Sequence, residues 1–154
     1  MGATKVGDAA PDFHRRDQNG EPLSLSEYRG KRAVVLYFYP RDDTPICTRE
    51  ACHFRDHHED FTQAGAQVIG VSSDSEDSHR AFAARHGLPF RLVADTDGSL
   101  RKAYGAPKSL GLMPGRVTYV IDRDGIVRHL FNAQLAAQRH VDEALATIRG
   151  FAQG

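Results

Sequence analysis

One apolar run and the polar turn after it constrain this chain most. Ala33 to Tyr39 is short, β-branched and aromatic, bounded by Lys31-Arg32 and by Pro40. Such a run reads as a strand buried on both faces. The chain then turns through Arg41-Asp42-Asp43 and opens a helix. Thr44 is placed to be its N-cap, with a hydroxyl able to accept a bond from a free N–H of the first turn. Pro45 suits the first helical position, where its missing N–H costs nothing. Cys47 then falls at about the third helical position, over the unpaired amides and the positive end of the helix dipole.

A thiol there is biased toward thiolate, the form that attacks. A helix terminus is worth about 0.3–1 kcal/mol, less than one pKa unit. A neighbouring arginine is worth a further ~1–3 units. The chemistry therefore needs a guanidinium from elsewhere. Arg41, Arg49, Arg55 and Arg116 are the candidates, and spacing alone does not choose among them. Arg116 follows a Pro-Gly turn and opens a strand, which can bring it to the sheet edge beside the helix.

The rest of the chain supplies an α/β frame. Ala10-Pro11-Asp12-Phe13 reads as extended, Asp17-Gln18-Asn19-Gly20 as a turn, Leu23-Ser24-Leu25 as a short strand, and Ser26 to Gly30 as a helical turn. The spacing predicts one helix from Pro45 to about Ala64, with Gly65 as its C′ residue. Gln67 to Ser72 is a second apolar strand. Ser73-Asp74-Ser75-Glu76 has capping-box spacing and starts a helix that runs to His86. Phe90 to Val93 reads as a strand, Gly98 to Tyr104 as a short helix, and Ala106 to Gly115 as a loop. Val117–Ile121 and Ile126–Phe131 form a hairpin around Asp122-Arg123-Asp124-Gly125. A final helix over about 136–149 shows an apolar face of Val141, Ala144, Leu145 and Ile148. Strand–helix–strand demands a right-handed parallel crossover, and the hairpin adds antiparallel strands. The expectation is a three-layer α/β/α sandwich with a mixed central sheet, spanning residues 1–154 as one domain.

The 154 residues carry 20 basic and 20 acidic side chains, a formal net charge of zero. Nothing in that balance points to nucleic acid or to an anionic membrane. No apolar run approaches the ~20 residues of a membrane span. Met1 to Asp8 lacks a signal-peptide apolar core, so the expected compartment is the cytoplasm. Two cysteines in that compartment read as inert thiols, metal ligands or redox groups rather than a static disulfide.

Cys52 lies five residues after Cys47 in the expected helix. There the side chains diverge by about 140° and the Cα atoms stand roughly 8–9 Å apart, beyond the ~4.4–6.8 Å of a disulfide. A bridge requires the first turns to unwind, giving a reduced state with a formed helix and an oxidised state with a melted one. Cys47, Cys52, His53, His57 and His58 also offer metal-ligating types, with His53 and His57 four apart. Their spacing matches no tetrahedral zinc pattern, and they read as a solvated helix face. Tyr39 and Pro40 end the strand as core packing and loop geometry, and Pro40 is placed to shield a thiolate.

Pro40, Thr44 and Cys47 spell P-x-x-x-T-x-x-C. The pattern resembles the peroxiredoxin active-site motif. The longer string Phe38-Tyr39-Pro40, Thr44-Pro45, Cys47-Thr48, Glu50 and Cys52 is similar to the bacterioferritin comigratory protein (PrxQ) branch. So are Pro11-Asp12-Phe13, Gly70-Val71-Ser72 with Asp74, and Arg116 with Tyr119-Val120-Ile121-Asp122 and Gly125. The resemblance implies a thioredoxin fold with an N-terminal extension. It implies that Cys47 is the peroxidatic cysteine, Cys52 the resolving one and Arg116 the active-site arginine, with Glu50 orienting the arginines. It also implies a hydroperoxide substrate and reduction by thioredoxin, or by glutaredoxin, without metal, haem or flavin. An intersubunit disulfide is unnecessary, and a monomer is expected. Ile46 and the loop Lys108–Pro114 are departures that bear on substrate access. A peroxide sensor that oxidises a client protein uses the same sulfur chemistry. A dithiol oxidoreductase is disfavoured by the absence of C-x-x-C.

Overall fold

The computed structural model describes residues 3–106, 108–109 and 113–151. In chain order the elements are β1 (His14–Arg16), β2 (Pro22–Ser24), a 3-10 turn (Leu25–Tyr28), β3 (Ala33–Phe38), α1 (Pro45–Asp56), α2 (His58–Gln63), β4 (Ala66–Ser72), α3 (Glu76–His86), β5 (Arg91–Ala94), α4 (Ser99–Tyr104), β6 (Lys108–Ser109), β7 (Met113–Pro114), β8 (Val117–Ile121), β9 (Val127–Asn132) and α5 (Ala137–Phe151). Five strands form the central sheet in the order β5-β4-β3-β8-β9. β3, β4 and β5 run parallel, and β8 and β9 are antiparallel to their neighbours. The mixed sheet expected from the sequence is present, with β3 at its centre.

All six residues of β3 are buried because the sheet is covered on both faces. Successive side chains point to opposite faces, and the two cores separate along that alternation. Ala33, Val35, Tyr37 and Tyr39 join Phe54 of α1, Phe61 of α2, Phe82 of α3 and Val141 and Ile148 of α5. Val34, Leu36 and Phe38 join Leu100 and Tyr104 of α4 and the N-terminal Phe13 and Leu23. The second layer is thus completed by the N-terminal extension. Its β1–β2 pair is tied to β5 by Arg91, whose Nε donates to Asp17 at 2.8 Å.

Four local expectations are corrected. The helix expected over 45–64 is two helices that meet at His57, whose N–H is shared between the carbonyls of His53 and Phe54 at 3.2 Å each. No proline or glycine marks the break. Helix α3 is capped by Ser75, not Ser73: Ser75 Oγ accepts from Ser78 N, while the Asp74 carboxylate is engaged elsewhere. The loop expected over 106–115 contains a short antiparallel pair, Lys108 opposite Pro114 and Ser109 opposite Met113; Pro107, Leu110, Gly111 and Leu112 lie outside the described residues. Thr44 occupies the N-cap position without capping, as described below. Among the described residues no helix is long and apolar enough to cross a membrane.

Candidate active site

The site lies where β3 hands the chain to α1. Helix α1 buries one stripe, Cys47, Glu50, Ala51 and Phe54, at the i, i+3, i+4, i+7 spacing of a face turned to the core. A nucleophile and a carboxylate therefore share the buried face, one turn apart. Register brings the cation. β8 runs antiparallel to β3 with Val117 opposite Phe38, so the residue before Val117 stands at the end of β3 from which α1 departs. That residue is Arg116.

The Arg116 guanidinium joins both groups. Nη2 lies 3.3 Å from Cys47 Sγ and Nη1 2.5 Å from Glu50 Oε1. Nε donates to the Gln134 carbonyl at 2.9 Å, fixing the plane of the fork. Of the four candidate arginines, Arg116 alone among the described residues bonds the sulfur. Arg55 binds Asp56 and the His86 carbonyl, and Arg41 and Arg49 are exposed. Glu50 accepts from Arg116 Nη1, the contact through which the resemblance has it orient the arginine. Cys47 is only 1% exposed, so the guanidinium expected beside the sulfur is present but open solvent is not. Cys52 is half-buried on the same intact helix, and both cysteines are free thiols.

Burial pushes Glu50 up from 4.5 to about 7, against the pull of Arg116. Its Oε2 is buried without a partner, which is where a proton is most readily carried. Burial would lower Arg116, but Glu50 and Cys47 together hold it above its ordinary value. His140, on α5, completes the rear of the site. Burial lowers it to about 4, so the ring is neutral near pH 7. Its Nε2 lies 2.7 Å from the Ala133 carbonyl and its Nδ1 2.8 Å from Thr118 Oγ1. A carbonyl only accepts, so Nε2 carries the proton and Nδ1 accepts from the threonine.

Thr44 departs from its expected role. Its hydroxyl donates to the Arg41 carbonyl at 2.9 Å, and no side-chain cap bond is made to the helix. The first backbone bond of the helix is Thr48 N–H to Thr44 O. The Cys47 amide, one of the leading N–H groups of the helix, is thus left without a side-chain cap. The preceding loop is held from behind. Asp43 takes a left-handed φ of 60°, and its carboxylate pairs with Arg85 of α3. Buried Asp42 accepts from Tyr39 OH at 2.6 Å, Ser78 Oγ at 2.8 Å and His79 Nδ1 at 2.7 Å. The Asp42 N–H donates to Asp74 at 2.8 Å, and His79 Nε2 faces the Val93 carbonyl at 3.0 Å. Tyr39 is thus a loop anchor as well as core. Pro40 is half-buried between strand and loop.

Sequence reasoning missed His140, Gln134, His79 and Asp42. A histidine four residues into a helix, on its apolar side, was the one available signal for His79. The Gln134 contact is a backbone carbonyl, which no side-chain pattern encodes.

The AhpC/TSA family model matches residues 6–130. Peroxiredoxin Q, chloroplastic, of Sedum lineare is 48% identical over 144 residues, covering 93% of this chain and 77% of that protein. This chain belongs to the AhpC/TSA family, in its peroxiredoxin Q branch. Among solved structures, the peroxidoxin BcpB of Mycobacterium tuberculosis is similar with a TM-score of 0.88 and 39% identity, over 96% of this chain and 97% of that one. The Xanthomonas campestris bacterioferritin comigratory protein, described for its alkyl peroxide reduction activity, is similar with a TM-score of 0.84 and 30% identity, over 99% of each chain. The fold is the thioredoxin fold. Membership makes the chain a peroxidase acting on hydroperoxides and drawing on a thiol reductant.

Proposed function

We propose that the chain is a thioredoxin-dependent two-cysteine peroxiredoxin in which Cys47 is peroxidatic and Cys52 resolving. The observation that carries this reading is the Arg116 guanidinium shared between Cys47 Sγ and Glu50. A cation 3.3 Å from sulfur is in place for the charge that develops on peroxide oxygen.

The Cys47 thiolate attacks the terminal oxygen of a hydroperoxide in line with the O–O bond. An S–O bond forms, the O–O bond breaks, and hydroxide or alkoxide leaves to be protonated to water or alcohol. Thr44 Oγ1 gives its own proton to Arg41 O, so its lone pairs are free to accept from the peroxide O–H. The Cys47 N–H and Arg116 serve as donors to the oxygens. Pro40 shields the sulfur from bulk water, and a peroxide reaches it by a small opening of the loop over 40–44.

Cys47 is then a sulfenic acid. Helix α1 unwinds locally, and the Cys52 thiolate attacks the sulfenic sulfur. The S–S bond forms and the hydroxyl leaves as water. An external dithiol restores both thiols by exchange; thioredoxin is the reductant we propose, with glutaredoxin as the alternative. Such a cycle belongs in a reducing compartment, for which we propose the cytoplasm. Among the described residues only Val6 and Leu135 are large apolar side chains left exposed, which supports a monomer.

The test is peroxide consumption coupled to thioredoxin, its reductase and NADPH. Cys47→Ser is expected to abolish turnover. Appreciable activity in that variant rejects the assignment, and negligible turnover by the wild type favours a sensor instead.

A further inference from the structure

Helix α1 and its C-cap residue His57 carry a second group of chemistry-bearing side chains off the catalytic face. His53 and His57 stand four residues apart and face α5, where His53 Nε2 lies 3.1 Å from Asp142 Oδ1. The two imidazoles are 4.7 Å apart, centroid to centroid, at 75°. One ligand atom from each of His53, His57 and Asp142 lies within 4.8 Å of the other two. We propose that these three side chains bind one divalent transition-metal ion of the zinc class, and that the ion staples α1 to α5.

The donor set selects the class. Two imidazoles and one carboxylate suit zinc and its neighbours, whereas magnesium and calcium take oxygen. Three protein ligands leave a fourth position for water. Ligand atoms about 2.0–2.1 Å from a tetrahedral ion stand roughly 3.3 Å apart; His53 Nε2 and Asp142 Oδ1 already meet that at 3.1 Å, and the ligand atom of His57 lies within 4.8 Å of both. Rotation of the side chains suffices, since all three are partly exposed: 21% for His53, 33% for His57 and 64% for Asp142. His57 is already oriented. Its Nδ1 lies 2.9 Å from Asp60 Oδ2, and a carboxylate there fixes the proton on Nδ1 and leaves Nε2 with its lone pair. This is the outer-sphere support that metal-ligating histidines ordinarily have. At His53 the ion replaces the proton now shared with Asp142.

The position gives the site a consequence, which rests on the resolving step proposed above. His53 is the residue after Cys52, and Cys52 reaches Cys47 only if α1 unwinds. An ion held by His53 and His57 needs helical backbone between them and docks that backbone on α5. It therefore favours the reduced, helical form. By linkage, the disulfide form binds the ion more weakly by the same factor.

The site is tested with Zn²⁺ alone, titrated calorimetrically into the Cys47→Ser/Cys52→Ser variant, which has no thiolate to compete. One ion per chain is expected, with affinity reduced about tenfold or more by His57→Ala or Asp142→Asn, and with slower amide exchange over 48–57 in the loaded protein. No binding, or equal binding in all three proteins, overturns the site. In the wild type, saturating Zn²⁺ is expected to slow disulfide formation after peroxide, and His57→Ala to remove that effect. An equal effect in His57→Ala, or none in the wild type, overturns the clamp. If the wild type forms no disulfide even without Zn²⁺, the resolving step fails, while the calorimetry still decides the site.

Discussion

Replacing Glu50 with glutamine isolates a buried carboxyl held against a buried guanidinium. The carboxyl is fully buried, and burial raises it from 4.5 to about 7 although Arg116 lies beside it. A carboxyl whose folded value exceeds its unfolded value takes up a proton on folding. Its stabilising contribution is complete below about 4.5 and is lost as pH rises through about 7. At about 1.4 kcal/mol per pKa unit the loss is about 3 kcal/mol. His140 runs the other way. It is lowered from 6.5 to about 4, so its contribution is present above 6.5 and lost as pH falls through about 4. The windows overlap and the wild-type profile is expected to be nearly flat, so Glu50 must be read by difference. Glutamine keeps an acceptor for Arg116 Nη1 and removes the titration. Urea unfolding of both reduced proteins, followed by circular dichroism across this range, supplies the difference. Wild-type stability minus variant stability should fall by about 3 kcal/mol between pH 4.5 and pH 7.5. A difference constant to within about 1 kcal/mol would refute the reasoning and show that Arg116 holds Glu50 ionised throughout.

Other perturbations reach the rest of the account. Arg116→Met removes one charge-assisted contact to sulfur, worth about 1.5–3 kcal/mol, and should slow the second-order reaction with peroxide roughly 10–100-fold; a stopped-flow rate unchanged from wild type removes Arg116 from the chemistry. Asp42→Asn weakens three buried bonds from Tyr39, Ser78 and His79 and should cost about 2–3 kcal/mol, measured by denaturant unfolding; no loss means that the loop is held by other contacts. Gly70→Ala places a Cβ 2.8 Å from Leu92 Cδ2 and 2.9 Å from Tyr37 Cζ, in the middle of β4, and should destabilise by about 1–3 kcal/mol; a neutral result means that the Tyr37 ring, Leu92 and the strands adjust freely. Cys52→Ser should consume one equivalent of peroxide and then stall as sulfenic acid by mass spectrometry, whereas normal cycling with thioredoxin would reassign the resolving residue.

The sheet was legible because β3 is a continuous apolar run, because β4 is apolar at Val68, Ile69 and Val71, and because Asp122 to Gly125 permits little besides a tight turn. The buried stripe of α1, Cys47 with Glu50, Ala51 and Phe54, follows helical spacing but went unread in the sequence, where Glu50 entered only through the resemblance. Arg116 was legible as an edge residue by its Pro-Gly turn, but its contact with Cys47 depends on β8 lying next to β3 in one register, which is a tertiary fact. The break at His57 left no trace, because a shared N–H between two carbonyls needs no special residue. Thr44 shows the limit of local rules. It sits at the N-cap position, yet the tight loop from Arg41 to Asp43 offers its hydroxyl a carbonyl and the cap bond is not made. Network residues such as His79 and His140 were hidden because their partners come from distant strands and from main-chain carbonyls.

The central claim is that one sulfur is activated by its surroundings and the other is not, although both stand on the same helix. Peroxide oxidation of Cys52→Ser, which retains Cys47, against Cys47→Ser, which retains Cys52, measures this most directly, with sulfenic acid trapped by a dione probe and followed over time. Rapid, stoichiometric labelling is expected at Cys47, and only the slow reaction of an ordinary thiol at Cys52. Equal rates at the two positions would contradict it.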